Sequence, residues 1–311
     1  MEIVQGIDAL AGHGRVCVTV GVFDGLHRGH LKVLEILTEV SRQLDATPTV
    51  ITFDPHPDAV VKGRAPDLVI DPVERLERLA AAGVGVTVVQ RFDEAFRRTS
   101  ARRFLERLGA GGDLAGIVMT AESAFGKDRA GTLATVTEMS GRVGFEVIEA
   151  PRYELGGAPV SSSRIRSLIE TGRLAAARDL LGHRYALVGD VVHGDARGRE
   201  LGFPTANIAF GDPVCLPTDG VYVARVTWGG ATLLDPSDSA DAVVSLGMQP
   251  TFGGRVRLLE AYLLDWDADL YGVRMRVELV RRLRGQRRFN SMESLIREME
   301  RDVRRARDYL G

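Results

Sequence analysis

Apolar residues in the first half of the chain alternate between strand-like and helix-like spacing. Arg15–Val20 is a short β-branched run and predicts a buried strand. Gly21–Gly29 follows as a glycine-punctuated loop, and His30–Leu44 carries apolar residues at helical intervals: Leu31, Leu34, Leu37, Val40 and Leu44. Pro48–Phe53 predicts the next strand. Pro72–Ala82 predicts a helix with Asp71 as N-cap, proline at its first position and Gly83 past its end. Val84–Val89, Ile117–Met119 and Phe145–Ile148 extend the strand series, with helical stretches between them. Such alternation predicts an α/β architecture, a parallel sheet with helices on both faces. Ligands in such sheets bind beyond the C-terminal strand ends.

The pattern changes near residue 183, in Leu181–Tyr185. Beyond it, alternating runs predict strands over Ala186–Val192, Val221–Trp228, Ala242–Leu246, Leu258–Asp265 and Val273–Val280. Glycine-rich turns separate them, and Asp235–Asp241 reads as a surface loop. These strands predict an antiparallel sheet or small closed barrel. A terminal amphipathic helix, Ser291–Leu310, follows, with Asn290 or Ser291 as N-cap and Leu295, Met299 and Val303 on one face. The expected domains are therefore 1–183 and 184–311.

Composition narrows the function classes. The 311 residues are 45% hydrophobic and 26% charged, which suits two folded domains. A net charge of -2 argues against nucleic acid or an anionic membrane as the partner. The basic run Arg281–Arg288 lacks interleaved stacking aromatics and reads as a solvated face with one functional arginine. Cys17 and Cys215 match no metal or redox spacing, so a reducing compartment is expected. No apolar run reaches the roughly 18 residues of a membrane span. The N-terminal segment lacks a signal peptide's apolar centre. The expectation is a cytoplasmic protein with small-molecule partners. Its oligomeric state is left open.

Two stretches carry chemistry. The first is Gly21-Val22-Phe23-Asp24-Gly25-Leu26-His27-Arg28-Gly29-His30, between the first predicted strand and helix. Glycines admit a ligand close to the backbone, and a helix start offers free N–H groups to phosphate. His27 and His30 can donate hydrogen bonds to phosphate oxygens as charge develops on them. This HxGH spacing resembles the signature of nucleotidylyltransferases. The longer string, with Thr52-Phe53-Asp54-Pro55-His56-Pro57, resembles the N-terminal module of the bacterial bifunctional riboflavin kinase/FAD synthetase family. Val160-Ser161-Ser162-Ser163-Arg164-Ile165-Arg166 is similar to that family's ISSTRIR. One stretch departs from the pattern. Where the family has Gly-x-(Asp/Asn)-Phe-x-Phe-Gly, this chain has Thr120-Ala121-Glu122-Ser123-Ala124-Phe125-Gly126, losing the glycine, the short polar residue and the first aromatic.

The second stretch begins with the polar loop His193–Arg199 and continues as Leu201-Gly202-Phe203-Pro204-Thr205-Ala206-Asn207-Ile208. It resembles the riboflavin kinase signature, and Gly247-Met248-Gln249-Pro250-Thr251-Phe252 is similar to that family's GxxPTF. Thr205 and Asn207 offer neutral oxygens suited to Mg²⁺ beside ATP phosphates, on a turn stiffened by Pro204. Glu260 lies in an otherwise apolar strand. The strand pattern alone leaves open whether it faces the site or solvent. Arg284 and Phe289 match the family's closing R…F element, and Gln286 stands where an acid is usual.

The resemblance implies a Rossmann-like nucleotidylyltransferase domain followed by a small antiparallel β-barrel with a terminal helix. It implies two reactions: ATP-dependent phosphorylation of riboflavin to FMN, and adenylylation of FMN to FAD with release of pyrophosphate. His27 and His30 would be catalytic in the second, with Gly21, Phe23, Asp24, Gly29, Ser162, Ser163 and Arg164 on ATP. Glu260 would be the base of the first, with Gly202, Pro204, Thr205 and Asn207 on ATP, Thr205 and Asn207 holding Mg²⁺. Phe125 and Arg284 would touch flavin. Two alternatives stay open at this point: a kinase alone, with the adenylyltransferase weakened at Thr120, Glu122 and Ser123, or a flavin- or nucleotide-binding regulator without turnover.

Overall fold

The computed structural model describes residues 1–111, 113–193, 203–211, 213–251, 254–266 and 268–310. The chain divides into two compact units, Met1–Asp67 with Arg75–Ser162, and Leu68–Glu74 with Ser163–Gly311.

The first unit is built on six strands: β1 (Glu2–Gln5), β2 (Arg15–Val20), β3 (Thr47–Asp54), β4 (Val86–Arg91), β5 (Asp113–Met119) and β8 (Glu146–Glu149), with a two-residue hairpin of β6 (Ala124–Phe125) and β7 (Gly131–Thr132) beside them. Their order is β1-β4-β3-β2-β5-β8, and every pairing is parallel. The intervening helices are α1 (Arg28–Gln43), α2 (Pro57–Val61), α3 (Pro72–Ala81), α4 (Glu94–Arg97), α5 (Ala101–Gly111) and α6 (Leu133–Val143). Val16, Val18, Ile51, Val88 and Ile117 are buried in one core cluster, because a sheet covered on both faces must be apolar on both. In α1 the buried residues are Val33, Leu34, Leu37 and Ser41, whereas Leu31, expected on the apolar face, is exposed. β1 offers only two apolar residues, Ile3, which is exposed, and Val4, half-buried against the core. It is an exposed edge strand held by its ladder to β4. The strand order reverses at β2, which has β3 on one side and β5 on the other, so its C-terminal end is a switch point where a crevice opens.

After Leu68–Glu74 the second unit resumes at Ser163, within helix α7 (Ser162–Glu170), continues through α8 (Leu174–Leu181) and centres on a closed antiparallel barrel. Its strands are β9 (Ala186–Val192), β10 (Ala206–Ala209), β11 (Gly220–Trp228), β12 (Asp238–Thr251), β13 (Gly254–Leu263) and β14 (Arg274–Arg284), in the order β10-β13-β12-β11-β14-β9. Val244, Leu246, Leu259 and Ala261 fill the interior, while Val243, Ser245, Glu260 and Tyr262 alternate with them on the outer face. The expected loop Asp235–Asp241 is corrected here: from Asp238 on it is strand, paired with β11 from Trp228, because the backbone ladder does not need apolar side chains on a solvated face.

The terminal helix α9 (Met292–Leu310) is capped by Ser291, whose Oγ accepts from Ser294 N at 3.2 Å. Its most buried residues are Glu298, Asp302 and Ala306 rather than Leu295, Met299 and Val303. The reason is Arg284 on β14, whose guanidinium is buried and meets Asp302 at 2.8 Å and Glu298 at 3.7 Å. A buried cation needs paired anions.

Leu68–Glu74 belongs to the barrel unit although it comes from the first half of the sequence. Leu68 N donates to Pro213 O and Cys215 N donates to Leu68 O. Asp71 caps α3 through Val73 N and also meets Arg274 at 2.8 Å. Glu74 is 2% exposed and lies 3.1 Å from Arg276, itself 8% exposed. Glu74→Ala would leave this buried guanidinium with Glu278 alone, and is expected to destabilise the barrel unit by about 3 kcal/mol. Urea unfolding read by the fluorescence of Trp228 and Trp266, both in this unit, checks it.

Candidate functional sites

The loop after β2 sits at the switch point, held in an uncommon shape. Phe23, Gly25 and Leu26 all have positive φ, of 55°, 80° and 36°. Two donors grip one carbonyl to keep it so: Thr52 Oγ1 and Arg75 Nη1 each lie 3.1 Å from Val22 O. Gly21 N donates to Ile51 O, and Ser162 Oγ donates to Asp24 O at 2.8 Å. Ser162 is the first residue of α7. Ser163 and Arg164 are the next two residues of that helix.

His27 is the N-cap of α1, its Nδ1 accepting from His30 N at 3.2 Å. An accepting Nδ1 fixes the neutral tautomer, leaving Nε2–H as donor. The rings of His27 and His30 stack with centroids 3.6 Å apart and planes 13° from parallel, and Phe23 lies 5.0 Å from His30. Gly29 makes this stack possible: a Cβ there would lie 3.2 Å from the His27 ring. Burial pushes His27 down to about 4 and His30 well below the usual imidazole range, His27's proximity adding to the latter. The pair therefore starts neutral. Two charged rings at this separation would repel. His30 Nδ1 is buried without a hydrogen-bond partner among the described residues, a deficit that a ligand oxygen can fill.

These shifts set a pH dependence. His27 binds a proton less readily folded than unfolded, so its contribution is complete above about pH 6.5. It is lost as pH falls through about 4. At that limit the loss is about 3 kcal/mol. Imidazole proton NMR should show His27 titrating near 4, and hydrogen exchange in α1 should accelerate over the same interval.

Beside the loop lies a cavity of about 600 Å³, lined by Val20, Gly21 and Val22 at the loop's start and by Phe53, Phe92, Phe96, Phe104 and Phe125. These aromatic rings contact one another in series, for instance Phe53–Phe92 at 5.5 Å and Phe104–Phe125 at 4.9 Å. His56, Lys62, Arg97 and Arg129 add polar and cationic groups to the lining. A slot with aromatic walls and cations suits a planar ring bearing a phosphate. Ser123 lines this cavity and closes a turn with Thr120, the hydroxyls 2.9 Å apart. Glu122 instead pairs with Arg152 at 3.1 Å. Of the ring residues, the sequence assigned Phe125 alone to flavin, with Phe53 noted only within the Thr52–Pro57 string. The available signal was position, since Phe53 lies near the C-terminal end of β3 and Phe92 follows β4.

In the barrel unit, register groups three polar residues on one face. Asn207 on β10 is directly opposite Glu260 on β13, and Glu260 is directly opposite Ser245 on β12. Directly paired residues project from the same face of a sheet. Glu260 therefore shares the outer face with Asn207, which is 7% exposed. Pro204 and Thr205 line a smaller cavity of about 180 Å³ with Leu263, Trp266 and Tyr271. Gly202 and the loop from residue 194 lie outside the described residues, as does Phe252. Arg284 is held by Asp302, with its guanidinium 5.8 Å from the Phe289 ring. Arg281 and Arg282 are likewise engaged, over the Tyr309 ring at 4.6 Å and on Asp219 O at 2.8 Å. Among the described residues no group of three or more His, Cys, Asp or Glu could hold a metal ion. Asn207 and Thr205 fit instead a hard cation that takes most of its ligands from phosphates and water.

The family model described as FAD synthetase matches residues 10–164, and that described as riboflavin kinase matches residues 181–310. The bifunctional riboflavin kinase/FMN adenylyltransferase of Escherichia coli (strain K12) is 33% identical, over 100% of this chain and 98% of its own. The corresponding Bacillus subtilis (strain 168) protein is 30% identical, over 94% of this chain and 92% of its own. A crystal structure from Streptococcus pneumoniae, described as a macrolide-efflux protein, superposes with a TM-score of 0.88 and 28% identity, covering 99% of each chain. No described helix here is long and apolar enough to cross a membrane.

Proposed function

The chain belongs to the bifunctional riboflavin kinase/FMN adenylyltransferase family, and on that footing we propose how its residues divide two successive reactions. The enzyme phosphorylates riboflavin to FMN with ATP, then transfers AMP from a second ATP to FMN, giving FAD and pyrophosphate. The family-model matches support 184–311 as the kinase domain and 1–183 as the adenylyltransferase domain.

In the kinase, Glu260 takes the proton of the ribityl 5′-hydroxyl, whose oxygen attacks the γ-phosphorus as ADP leaves. Thr205 and Asn207 would hold Mg²⁺ beside the ATP phosphates. When bound, the ion neutralises phosphate charge. Pro204 shapes the turn that presents both residues. In the adenylyltransferase, an oxygen of the FMN phosphate attacks the α-phosphorus of ATP and pyrophosphate leaves. His27 Nε2–H, His30 and the free N–H groups starting α1 donate to phosphate oxygens, while Ser162, Ser163 and Arg164 hold the triphosphate. Phe125 and its neighbouring rings enclose the flavin. Neither step needs a covalent intermediate, since positioning and charge stabilisation suffice. Two buried free cysteines support a cytoplasmic location.

The observation that carries the adenylyl-transfer reading is the neutral, stacked imidazole pair at a helix start, adjoining an aromatic cavity at the sheet's switch point. The test is chromatography of flavins after incubation with riboflavin, ATP and Mg²⁺. FMN should appear first and FAD after it, with one ADP per FMN and one pyrophosphate per FAD. FMN alone would reduce the enzyme to a kinase. Binding without ADP release would leave a regulator.

A further inference from the structure

Two segments leave the parallel sheet side by side on its ligand-binding edge. Met119, the last residue of β5, pairs with Glu149, the last of β8, and Ala150 N donates to Met119 O at 2.7 Å. Glu122 and Arg152 each stand three residues beyond those paired ends, and Arg152 Nη1 lies 3.1 Å from Glu122 Oε1. The backbone of Glu122 is fixed. Thr120 N and Thr120 Oγ1 both meet Ser123 Oγ, at 3.1 and 2.9 Å, and Ser123 N donates to Thr120 O. Arg129 Nη2 donates to Glu122 O at 3.2 Å. The hydroxyls of Thr120 and Ser123 thus build the turn that presents Glu122, and Ser123 lines the aromatic cavity. On the other side, Tyr153 adjoins the HxGH loop: a Cβ on Gly29 would lie 3.7 Å from Tyr153 Cβ. Arg152 is therefore tied through Glu122 to the cavity wall and through Tyr153 to the loop at the start of α1. Glu122 is its only partner among the described residues, and its side chain is 53% exposed, so most of its N–H donors are open.

Adenylyl transfer favours a cation at that place. With its ring in the cavity, FMN must bring its phosphate, about two negative charges at neutral pH, against the triphosphate of ATP. The stacked imidazoles bring no charge to offset this, His27 taking up a proton only near 4. We propose that Arg152 binds the phosphate of FMN, the attacking group of the adenylyl-transfer step. A planar guanidinium presents parallel N–H donors that match two phosphate oxygens. Such a contact occupies two of the three terminal oxygens and leaves the third to attack the α-phosphorus. Glu122 holds the guanidinium in place between turnovers and yields it to the more highly charged phosphate. The inference rests on the reading of the aromatic cavity as the flavin seat and of the HxGH loop as the ATP phosphate site.

The bifunctional chain carries its own control, because FMN formation from riboflavin uses the other unit and reports on the integrity of each variant. Arg152→Met should raise KM for FMN in FAD synthesis about thirtyfold, the size of one lost charge-assisted contact. KM for ATP and the rate of FMN formation should stay within about twofold of wild type. Arg152→Lys, which keeps the charge but not the planar fork, should recover part of the loss. Glu122→Gln distinguishes phosphate binding from a purely structural ion pair. It breaks the pair and keeps the cation, so KM for FMN should be no higher than in the wild type. An unchanged KM for FMN in Arg152→Met overturns the proposal. So does a rise in KM for ATP in its place, or a Glu122→Gln variant as impaired as Arg152→Met. If the wild-type protein forms no FAD from supplied FMN, the adenylyltransferase reading itself fails. If it does and Arg152→Met is indifferent, only the role given to Arg152 fails.

Discussion

His27→Ala is expected to abolish FAD formation and leave FMN formation at its wild-type rate. The imidazole does two things that alanine cannot. Its Nε2–H is a buried donor at a helix start where phosphate charge must be met, and its ring is one half of the stack that fixes His30. Losing one preorganised donor to a charged transition state slows such reactions about 10²–10³-fold, and displacing the second imidazole adds to that. The lost N-cap costs about 1 kcal/mol, too little to unfold a unit with a core of this size. Steady-state assays of both reactions on one preparation check it. Equal losses in the two activities would show that the division of labour between the units is wrong.

Glu260→Gln is the mirror image. The amide is isosteric and can hydrogen-bond, but it cannot accept the hydroxyl proton, so FMN formation should fall about 10²–10⁴-fold. KM for ATP should stay near wild type. FAD synthesis from supplied FMN should continue, because Glu260 and its neighbours Asn207 and Ser245 all lie in the barrel unit. An unimpaired kinase would remove Glu260 from the chemistry and leave the Thr205/Asn207 turn without a base.

How much of this was legible in the sequence varied with the range of the forces involved. The Pro72–Ala81 helix could be read almost to the residue because its signals are local: Asp71 caps it, proline opens it and Gly83 follows with φ 86°. β9 was read to its ends for the same reason, its apolar run being short and interrupted only by Gly189 and Asp190. β1 and the start of β12 were not, because β1 has only Ile3 and Val4 as apolar residues, β12 opens on polar ones, and pairing with a partner strand makes both strands. The same distinction applies to the sites. The HxGH spacing showed that two imidazoles and a glycine belong together, and Gly29 explains why, yet nothing local shows that the rings stack. The direction of Glu260 could not be read from its strand, since alternation fixes two faces without saying which is inside. Burial of Leu259 and Ala261 decided it, and register then puts residues 207, 245 and 260 on one face. The face of α9 was legible, since Leu295, Met299 and Val303 are half-buried on it, but not that Glu298 and Asp302 would be more buried still, because Arg284, which draws them in, is distant in sequence.

Leu68–Glu74 gives the molecule a seam that does not follow the order of its sequence. A fragment beginning at residue 184 would carry Arg276 and Arg274 without Glu74 and Asp71, their anionic companions. Severing the two activities with one scissor-stroke at that point would therefore release a kinase barrel missing a structural piece encoded more than a hundred codons upstream. Gene fission could separate these catalysts only after the barrel had lost its need for that borrowed heptapeptide.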